Sequence, residues 1–271
     1  MATQVVTSDV TIFIDPAVSL APRRFGLPPH EVEWRRLREL ANEVYRYASE
    51  SDVIVVTHYH YDHHDLGKHV PIDIYEGKRV LLKDPRNSIN VSQRIRAAKF
   101  LKAIKGLATS IEVADGRLFR FGRTKVLFSG PVRHGYDERL GYVLMALIDD
   151  GEEGVLFTSD IEGFVSSDSV AFAKSCGVDV VLADGPPTYL AGYKLPKEVV
   201  GLSIRNTAEV LSVIKPKVLV LDHHLLRDVN YVEVYEELRR RSGALVIEAA
   251  RFMGREPDLL EVRRRELYGR S

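Results

Sequence analysis

The chain is poor in cysteine and has no surplus of charge of either sign, and both features limit the classes of function it can have. Cys176 is the only cysteine, so no disulfide forms within the chain and a reducing cytoplasm is the expected compartment. Lysine plus arginine and aspartate plus glutamate each number 38, which gives a formal net charge of zero. A chain without net positive charge has no global electrostatic attraction to nucleic acid or to an anionic membrane.

Long apolar runs are also missing. No stretch approaches the roughly 20 apolar residues that span a bilayer, and residues 1–9 lack the basic and then apolar pattern of a secretion signal. What remains is an ordinary globular balance, with 45% hydrophobic and 28% charged residues in 271. Because no repeat or low-complexity linker interrupts the chain, we predict a single domain over residues 1–271. Its Arg- and Glu-rich helices are typical of thermophile proteins.

Strand-like and helix-like segments alternate along the chain. The proline-rich stretches 16–30 and 184–202 are predicted to be loops. Helices are predicted over 30–49, 92–105, 167–176, 203–214 and 229–242. Strands are predicted over 10–14, 53–56, 78–82, 110–114, 117–121, 124–129, 141–148, 153–158, 178–183, 217–221 and 244–249.

The densest polar motif directly follows a buried strand. The β-branched run at 53–56 leads into His58-Tyr59-His60-Tyr61-Asp62-His63-His64-Asp65. Residues two apart on an extended backbone project to the same side, so His58 and His60 are expected to point together. Asp62 and His63 then bring a carboxylate and a further imidazole to the same place. Neutral imidazoles with a carboxylate are ligands that zinc prefers, so we predict a metal site here.

The other histidines also cluster at predicted strand ends. Seven of the nine histidines fall at three places, namely 58/60/63/64, 134 and 223/224. Strand ends are rigid, and several of them together assemble a site from distant parts of a sequence. With Asp62 and Asp160 added, the ligands suffice for two metal ions. A pair of divalent ions is a known hydrolytic device, in which a bridging water of lowered pKa attacks the substrate.

The order of these residues resembles the five-motif pattern of the metallo-β-lactamase superfamily. The pattern is Asp15, then His58-x-His60-x-Asp62-His63, then His134 within Gly130-Pro131-Val132-Arg133-His134-Gly135, then Asp160, then His223. Residues 15–29 and the doubled His223-His224 are similar to an uncharacterised archaeal group of predicted metal-dependent hydrolases. The resemblance implies a four-layer αββα sandwich, with two mixed β-sheets packed face to face and helices outside.

The resemblance also implies roles for individual residues. His58, His60 and His134 would hold one metal ion, and Asp62, His63 and His223 the other. Asp160 would bridge both ions, so Asp62 and Asp160 count as catalytic. Either member of the 223/224 pair fits the last position, and we favour His223 because it lies nearer the strand end. Residues expected behind the ligands, without direct metal contact, are Asp15, His64, Asp222 and His224.

The predicted function is that of a metal-dependent hydrolase. We expect two divalent ions, with Zn²⁺ favoured and Mn²⁺ or Fe²⁺ as alternatives. Hydrolysis with zinc is favoured over redox chemistry because His60 occupies a position that looks acidic in the di-iron oxidoreductases of the superfamily. The expected substrate is a small phosphodiester, lactone or other ester. Asp160 and His223 are only 63 positions apart, too close for the extra domain of the larger RNA-processing members. A nuclease acting on RNA or DNA ends and a non-catalytic metal sensor are the alternatives. No membrane partner is expected.

Overall fold

The computed structural model describes residues 1–270 and divides them into two units, each built on its own β-sheet. The first unit comprises Met1–Asp115 and the chain end from Leu260 onward, and the second comprises Gly116–Leu259. The second unit is therefore one continuous stretch of chain, whereas the first is completed by the C-terminal segment. Among the described residues, no helix combines the length and apolar character that crossing a bilayer requires.

Five strands and two long helices make up the N-terminal part of the first unit. In chain order they are β1 (Thr3–Val6), β2 (Thr11–Ile14), α1 (Glu31–Ser49), β3 (Val53–Val56), β4 (Arg79–Leu82), α2 (Val91–Ile104) and β5 (Ser110–Val113).

Nine strands and four helices make up the second unit, and one short helix follows it. They are β6 (Leu118–Phe121), β7 (Thr124–Phe128), β8 (Val132–Arg133), β9 (Tyr142–Val143), β10 (Ala146–Asp149), β11 (Gly154–Phe157), α3 (Ser167–Lys174), β12 (Val180–Ala183), α4 (Lys197–Ile214), β13 (Val218–Leu221), α5 (Tyr231–Ser242), β14 (Leu245–Ile247), α6 (Ala249–Phe252) and, in the first unit, α7 (Arg264–Leu267).

The first sheet has the order β1-β2-β3-β4-β5. Strands β2 to β5 are parallel to one another, and β1 pairs antiparallel with β2. All four residues of β3 are buried, as expected for a parallel strand covered on both faces. Helices α1 and α2 supply part of the core through Val44, Ala48 and Phe100. The carboxyl ends of β2, β3 and β4 therefore lie at one edge of this sheet.

The second sheet has the order β14-β13-β12-β11-β10-β7-β6. Strands β11 to β14 run parallel, and β10, β7 and β6 extend the sheet in antiparallel pairs. A separate two-stranded ladder joins β8 to β9. Consequently the carboxyl ends of β11, β12 and β13 also share one edge, the place where open α/β sheets bind their ligands.

The C-terminal helix α7 is fastened to the first unit by a buried arginine. Arg264 is fully buried, and its guanidinium forms a two-pronged ion pair with Glu33 at 2.8 Å. The same group donates to the carbonyl oxygens of Ala21 and Leu27, both at 3.1 Å. Glu33 in turn accepts from the backbone amide of His30, the N-terminal cap of α1. One guanidinium therefore joins the chain end, the proline-rich loop and helix α1.

Most of the predicted elements are present, and the differences include the following three. β1 was not predicted, because its strand character depends on pairing with β2, where Thr3 lies opposite Ile14. The predicted strand 141–148 is two strands, β9 and β10. Helix α4 begins at Lys197 and not at 203, because Pro196 is tolerated at the position before the first turn and the helix continues through Gly201. The mixed-sheet α/β class that the sequence indicates is confirmed.

Candidate metal centre

In the first unit the predicted ligands begin where β2 and β3 end. Asp15 directly follows β2, and Thr57 and His58 directly follow β3. Asp15 is fully buried and adopts a left-handed backbone conformation with φ of 54°. Aspartate tolerates this region better than most residues, although it still costs free energy. The strained turn directs the Asp15 carboxylate back toward the end of β3.

The Asp15 carboxylate is held by three hydrogen bonds. Its Oδ1 accepts from the backbone amide of Thr57 at 2.8 Å, and its Oδ2 accepts from the Thr57 hydroxyl at 2.6 Å. Oδ2 also lies 2.8 Å from Nδ1 of His63. An ionised carboxylate only accepts, so Nδ1 of His63 carries the hydrogen and Nε2 presents its lone pair. Metal-ligating histidines commonly have such a carboxylate behind them.

The first unit collects three imidazoles beside this carboxylate. Nε2 of His58 lies 3.2 Å from Nδ1 of His60, and the rings of His58 and His63 are 4.0 Å apart. The backbone amide of His63 donates to the carbonyl of His60 and closes the turn that carries Asp62. Asp15, His58 and His63, all buried, offer ligand atoms within 4.8 Å of one another. This set suits a divalent cation.

His64 points into an aromatic environment in the first unit. Its ring packs against Phe100 at 5.1 Å, Tyr61 at 5.5 Å and Tyr59 at 5.9 Å between centroids. Nδ1 lies 3.0 Å from the carbonyl oxygen of His60. Burial, more than any other influence, lowers the pKa of His64 to about 4, so the ring is neutral at pH 7. The contacts of His64 are those of a core residue that supports the ligand loop.

In the second unit, polar residues follow each of three parallel strands. Asp160 comes three residues after β11, Asp184 directly follows β12, and His223 and His224 come just after β13. His134 directly follows β8. Because β11, β12 and β13 are adjacent and parallel, their carboxyl ends bring Asp160, Asp184 and the two adjacent histidines to one edge of the sheet. His134 reaches Asp160 from the separate β8–β9 ladder.

Three imidazoles converge on a single oxygen of Asp160. Its Oδ2 lies 3.5 Å from Nε2 of His134, 3.6 Å from Nε2 of His223 and 3.8 Å from Nε2 of His224. Asp160 is 1% exposed, so water does not screen this arrangement. A carboxylate ringed by imidazole nitrogens is a donor set for a divalent metal.

Asp184 is part of this cluster and was not predicted. Its Oδ2 lies 2.9 Å from Nδ1 of His224 and accepts from the backbone amide of Glu162 at 2.7 Å. Asp160, Asp184 and His224, all buried, offer ligand atoms within 4.8 Å of one another. An acid directly after a buried strand was a usable signal, as at Asp15. Pro186 and Pro187 led us instead to assign the whole stretch to a loop.

The backbone around Asp160 is strained, as is common at functional sites. Ser159, Glu162 and Phe164 all have positive φ, between 54° and 59°, and His223 has φ of 44°. Glycine is favoured at one neighbouring position, because Gly135 has φ of 77° and a Cβ there would also meet the carboxylate of Glu162. Each strained residue costs about 1–3 kcal/mol, which indicates that the surrounding fold holds this geometry firmly.

The hydrogen bonds of Asp222 stabilise a turn, and both come from backbone amides. Its Oδ1 accepts from the amide of His223 at 2.7 Å, and its Oδ2 accepts from the amide of Ala249 at 3.0 Å. These bonds tie the end of β13 to the start of α6. They correspond to a turn cap, the plain role for an aspartate that precedes a sharp bend.

Solved structures of similar fold are metallo-β-lactamase proteins and their structural relatives. The metallo-β-lactamase fold protein YhfI from Bacillus subtilis matches with a TM-score of 0.57 over 92% of this chain and 88% of that chain, at 12% identity. CmlA, a diiron β-hydroxylase from Streptomyces venezuelae, matches with a TM-score of 0.53 over 91% of this chain and 51% of that chain, at 16% identity. The chain therefore has the metallo-β-lactamase fold, as its motifs predicted.

Sequence relatives place the chain more narrowly. It is 50% identical to a UPF0282 protein of Sulfurisphaera tokodaii, over 98% of this chain and 88% of the relative. A UPF0282 protein of Metallosphaera sedula is also 50% identical, over 100% of this chain and 88% of the relative. The chain belongs to the UPF0282 family. No protein-family model matches it. The resemblance to an archaeal group within the superfamily is confirmed.

Proposed function

We propose that this protein is a metal-dependent hydrolase that works with two divalent ions. The proposed metal ligands are the seven that the sequence predicts: His58, His60, Asp62, His63, His134, Asp160 and His223. Asp160 is proposed to bridge the two ions. Every one of these groups is an imidazole or a carboxylate, the donor types that borderline divalent ions select.

The observation that carries the proposal is the convergence of imidazoles on Asp160. Three Nε2 atoms approach one buried carboxylate oxygen at 3.5–3.8 Å. Imidazole nitrogens and a carboxylate oxygen gathered this closely form a donor set for a divalent cation. Burying them together is costly unless a cation pairs with them. The first unit adds further buried imidazoles, since the rings of His58 and His63 lie 4.0 Å apart.

The chain's own contribution to the chemistry is positional. When bound, two divalent ions polarise the bond to be cleaved and lower the pKa of a water molecule toward neutrality. Asp15 directs the His63 lone pair, and Thr57 in turn fixes Asp15 through two hydrogen bonds. Such preorganisation is what lets a metal centre act without rearranging its ligands.

Zinc is the proposed metal, and a small ester the proposed substrate. An imidazole-rich set favours zinc, while Mn²⁺ and Fe²⁺ are the alternatives. With 38 positive and 38 negative side chains, the chain has no overall attraction for a long polyanion. A small phosphodiester, lactone or other ester therefore suits it better than a nucleic acid end. A small-molecule substrate in the cytoplasm is the setting we propose.

A substrate panel on zinc-loaded protein tests this function. The panel holds bis-p-nitrophenyl phosphate, aliphatic and aromatic lactones, thioesters and a short single-stranded RNA. We expect turnover of at least one small ester, loss of turnover in Asp62→Asn, and retention in Asp150→Asn. Asp150 is a matched control because its carboxylate accepts backbone amides in the β10–β11 turn. Hydrolysis of none of the esters by fully loaded protein would favour the metal-sensing alternative.

A further inference from the structure

Asp184 and His224 form a buried pair beyond the seven proposed ligands. His224 is 7% exposed and Asp184 is fully buried. Nδ1 of His224 lies 2.9 Å from Oδ2 of Asp184. The two residues are 40 positions apart and come from the ends of neighbouring parallel strands, β12 and β13. The contact is therefore set by the sheet and not by the local sequence.

The pair fixes which nitrogen of His224 carries the hydrogen. Oδ2 of Asp184 already accepts from the amide of Glu162 at 2.7 Å, so it is placed as an acceptor. An oxygen that acts as the acceptor beside Nδ1 requires the hydrogen on Nδ1 and leaves the lone pair on Nε2. Nε2 is the atom that lies 3.8 Å from Oδ2 of Asp160. The His224 lone pair is thus turned toward a carboxylate oxygen.

Two buried acceptors that face each other need a positive charge between them. At 3.8 Å the Nε2–Oδ2 separation is too long for a direct hydrogen bond. A divalent cation offsets both carboxylates at once.

An unpartnered atom points to the same conclusion. Oδ1 of Asp184 is buried and has no hydrogen-bond partner among residues 1–270. Buried polar atoms without a partner are rare in native proteins and call for an explanation such as an ion. Asp160, Asp184 and His224 together offer three ligand atoms within 4.8 Å of one another.

We propose that His224 is an eighth protein ligand of the metal centre and that Asp184 is the residue that positions it. The inference rests on the proposed function, because it concerns the ion that shares Asp160. It also assigns roles to both members of the doubled histidine, with His223 and His224 each directing Nε2 at Asp160. The pair repeats Asp15 and His63 of the first unit, where a buried carboxylate 2.8 Å from Nδ1 holds a proposed ligand.

Metal titration of variants of the full chain tests this proposal. His224→Asn keeps an N–H group near the Nδ1 position, where it can still donate to Asp184, but removes Nε2. Asp184→Asn keeps the shape of the side chain but removes its charge. The matched control is Asp179→Asn at the opposite end of β12, whose carboxylate accepts the amide of Gly154 at 2.9 Å. Isothermal titration with Zn²⁺ and the visible spectrum of the Co²⁺ form give two readouts besides activity.

The expected result is selective weakening of one ion. Loss of a residue that orients a metal ligand typically costs about 10–100-fold in metal affinity. Asp184→Asn should bind one of the two ions about 10–100-fold more weakly, and His224→Asn should weaken binding of that ion at least as much. Both variants should also change the Co²⁺ spectrum. Asp179→Asn should behave as the wild type. If one of these two variants fails to fold, the metal affinity of the other still tests whether His224 binds the ion.

Two different failures are distinguishable. If both variants bind two ions with wild-type affinity and an unchanged Co²⁺ spectrum, His224 is a core residue and the inference is wrong, while the proposed function stands. If the wild type itself binds no divalent ion, the proposed function fails and the inference fails with it.

Discussion

The two units supply their polar residues in different ways. In the first unit, His58, His60, Asp62 and His63 lie within six consecutive residues after one strand. In the second, His134, Asp160 and the 223/224 pair come from separate strand ends spread over ninety residues of sequence. The first arrangement is built by a local turn, and the second by the parallel order of β11, β12 and β13. Local turns show in a sequence, whereas sheet order does not.

The units share one device despite this difference. In each, a buried carboxylate at a strand end lies against Nδ1 of a histidine, namely Asp15 with His63 at 2.8 Å and Asp184 with His224 at 2.9 Å. Asp15 receives two further hydrogen bonds from Thr57, and Asp184 receives one from Glu162. The carboxylate of the first unit is thus the more firmly held of the two.

Replacement of Asp160 should have the largest effect. Asp160→Asn removes the charge on which three imidazoles converge, so we expect loss of both ions and a fall in hydrolysis of about 10³-fold or more, since metal ions contribute several kcal/mol of charge stabilisation. Metal content and turnover on the best ester of the panel check this. Asp150→Asn is the control. Full metal content in Asp160→Asn would show that the second unit does not supply a bridging ligand.

Replacement of the buried Arg264 tests how far the stability of the first unit depends on the C-terminal segment. Arg264→Met leaves Glu33 buried without its partner, and breaking a buried pair in this way costs about 3–5 kcal/mol. Urea-induced unfolding measures the loss. Arg263→Met is the matched control, because Arg263 is exposed and pairs with Glu266 on the surface, where such pairs contribute about 0–1 kcal/mol. Equal losses in both variants would contradict the proposed role of Arg264.

His64 should make the stability of the metal-free protein depend on pH. Its pKa falls from 6.5 to about 4 on folding, so the unfolded chain binds a proton first as the pH drops. Stability is therefore full above pH 6.5 and lost as the pH falls toward 4, by up to about 3 kcal/mol. Unfolding free energies across this range measure the slope. The His64→Phe variant should lack this component, and an unchanged slope would be evidence against it.

The smallest effects are expected when the two carboxylates that lie against histidines, Asp15 and Asp184, are each replaced and compared. Asp15→Asn and Asp184→Asn should each weaken one ion by about 10–100-fold. Asp15→Asn should also lower the free energy of unfolding of the metal-free protein more, by about 1–3 kcal/mol, since it disturbs three buried hydrogen bonds. Urea titrations of both variants check the order. The reverse order would mean that Asp184 carries the greater structural load.

Site residues could be predicted from the sequence where histidines or aspartates directly follow a predicted strand. The ligand loop was recognisable because its imidazoles are packed together after an apolar run, and Asp15 and Asp160 because they follow predicted strands. Asp184 was missed although it directly follows the predicted strand 178–183, because the prolines after it led to the assignment of 184–202 as a loop without site residues. Its partner His224 is 40 residues away, so only the pairing of β12 with β13 reveals the contact.

The buried ion pair could not be predicted at all. Arg264 and Glu33 are 231 residues apart, and each reads as a surface charge on an amphipathic segment. Strand β1 was missed for a related reason, since its pairing with β2, and not its composition, makes it a strand. In both cases the determining interaction is tertiary, and local patterns carry no record of it.

Metal analysis of the purified wild-type protein tests the central claim most directly. Protein expressed in zinc-supplemented medium and purified without chelator is measured by elemental analysis, beside the His58→Ala, Asp62→Ala double variant. We predict close to two divalent ions per wild-type chain, with zinc predominant, and a folded double variant with its metal lost. A wild-type protein that holds no divalent metal under these conditions would contradict the account.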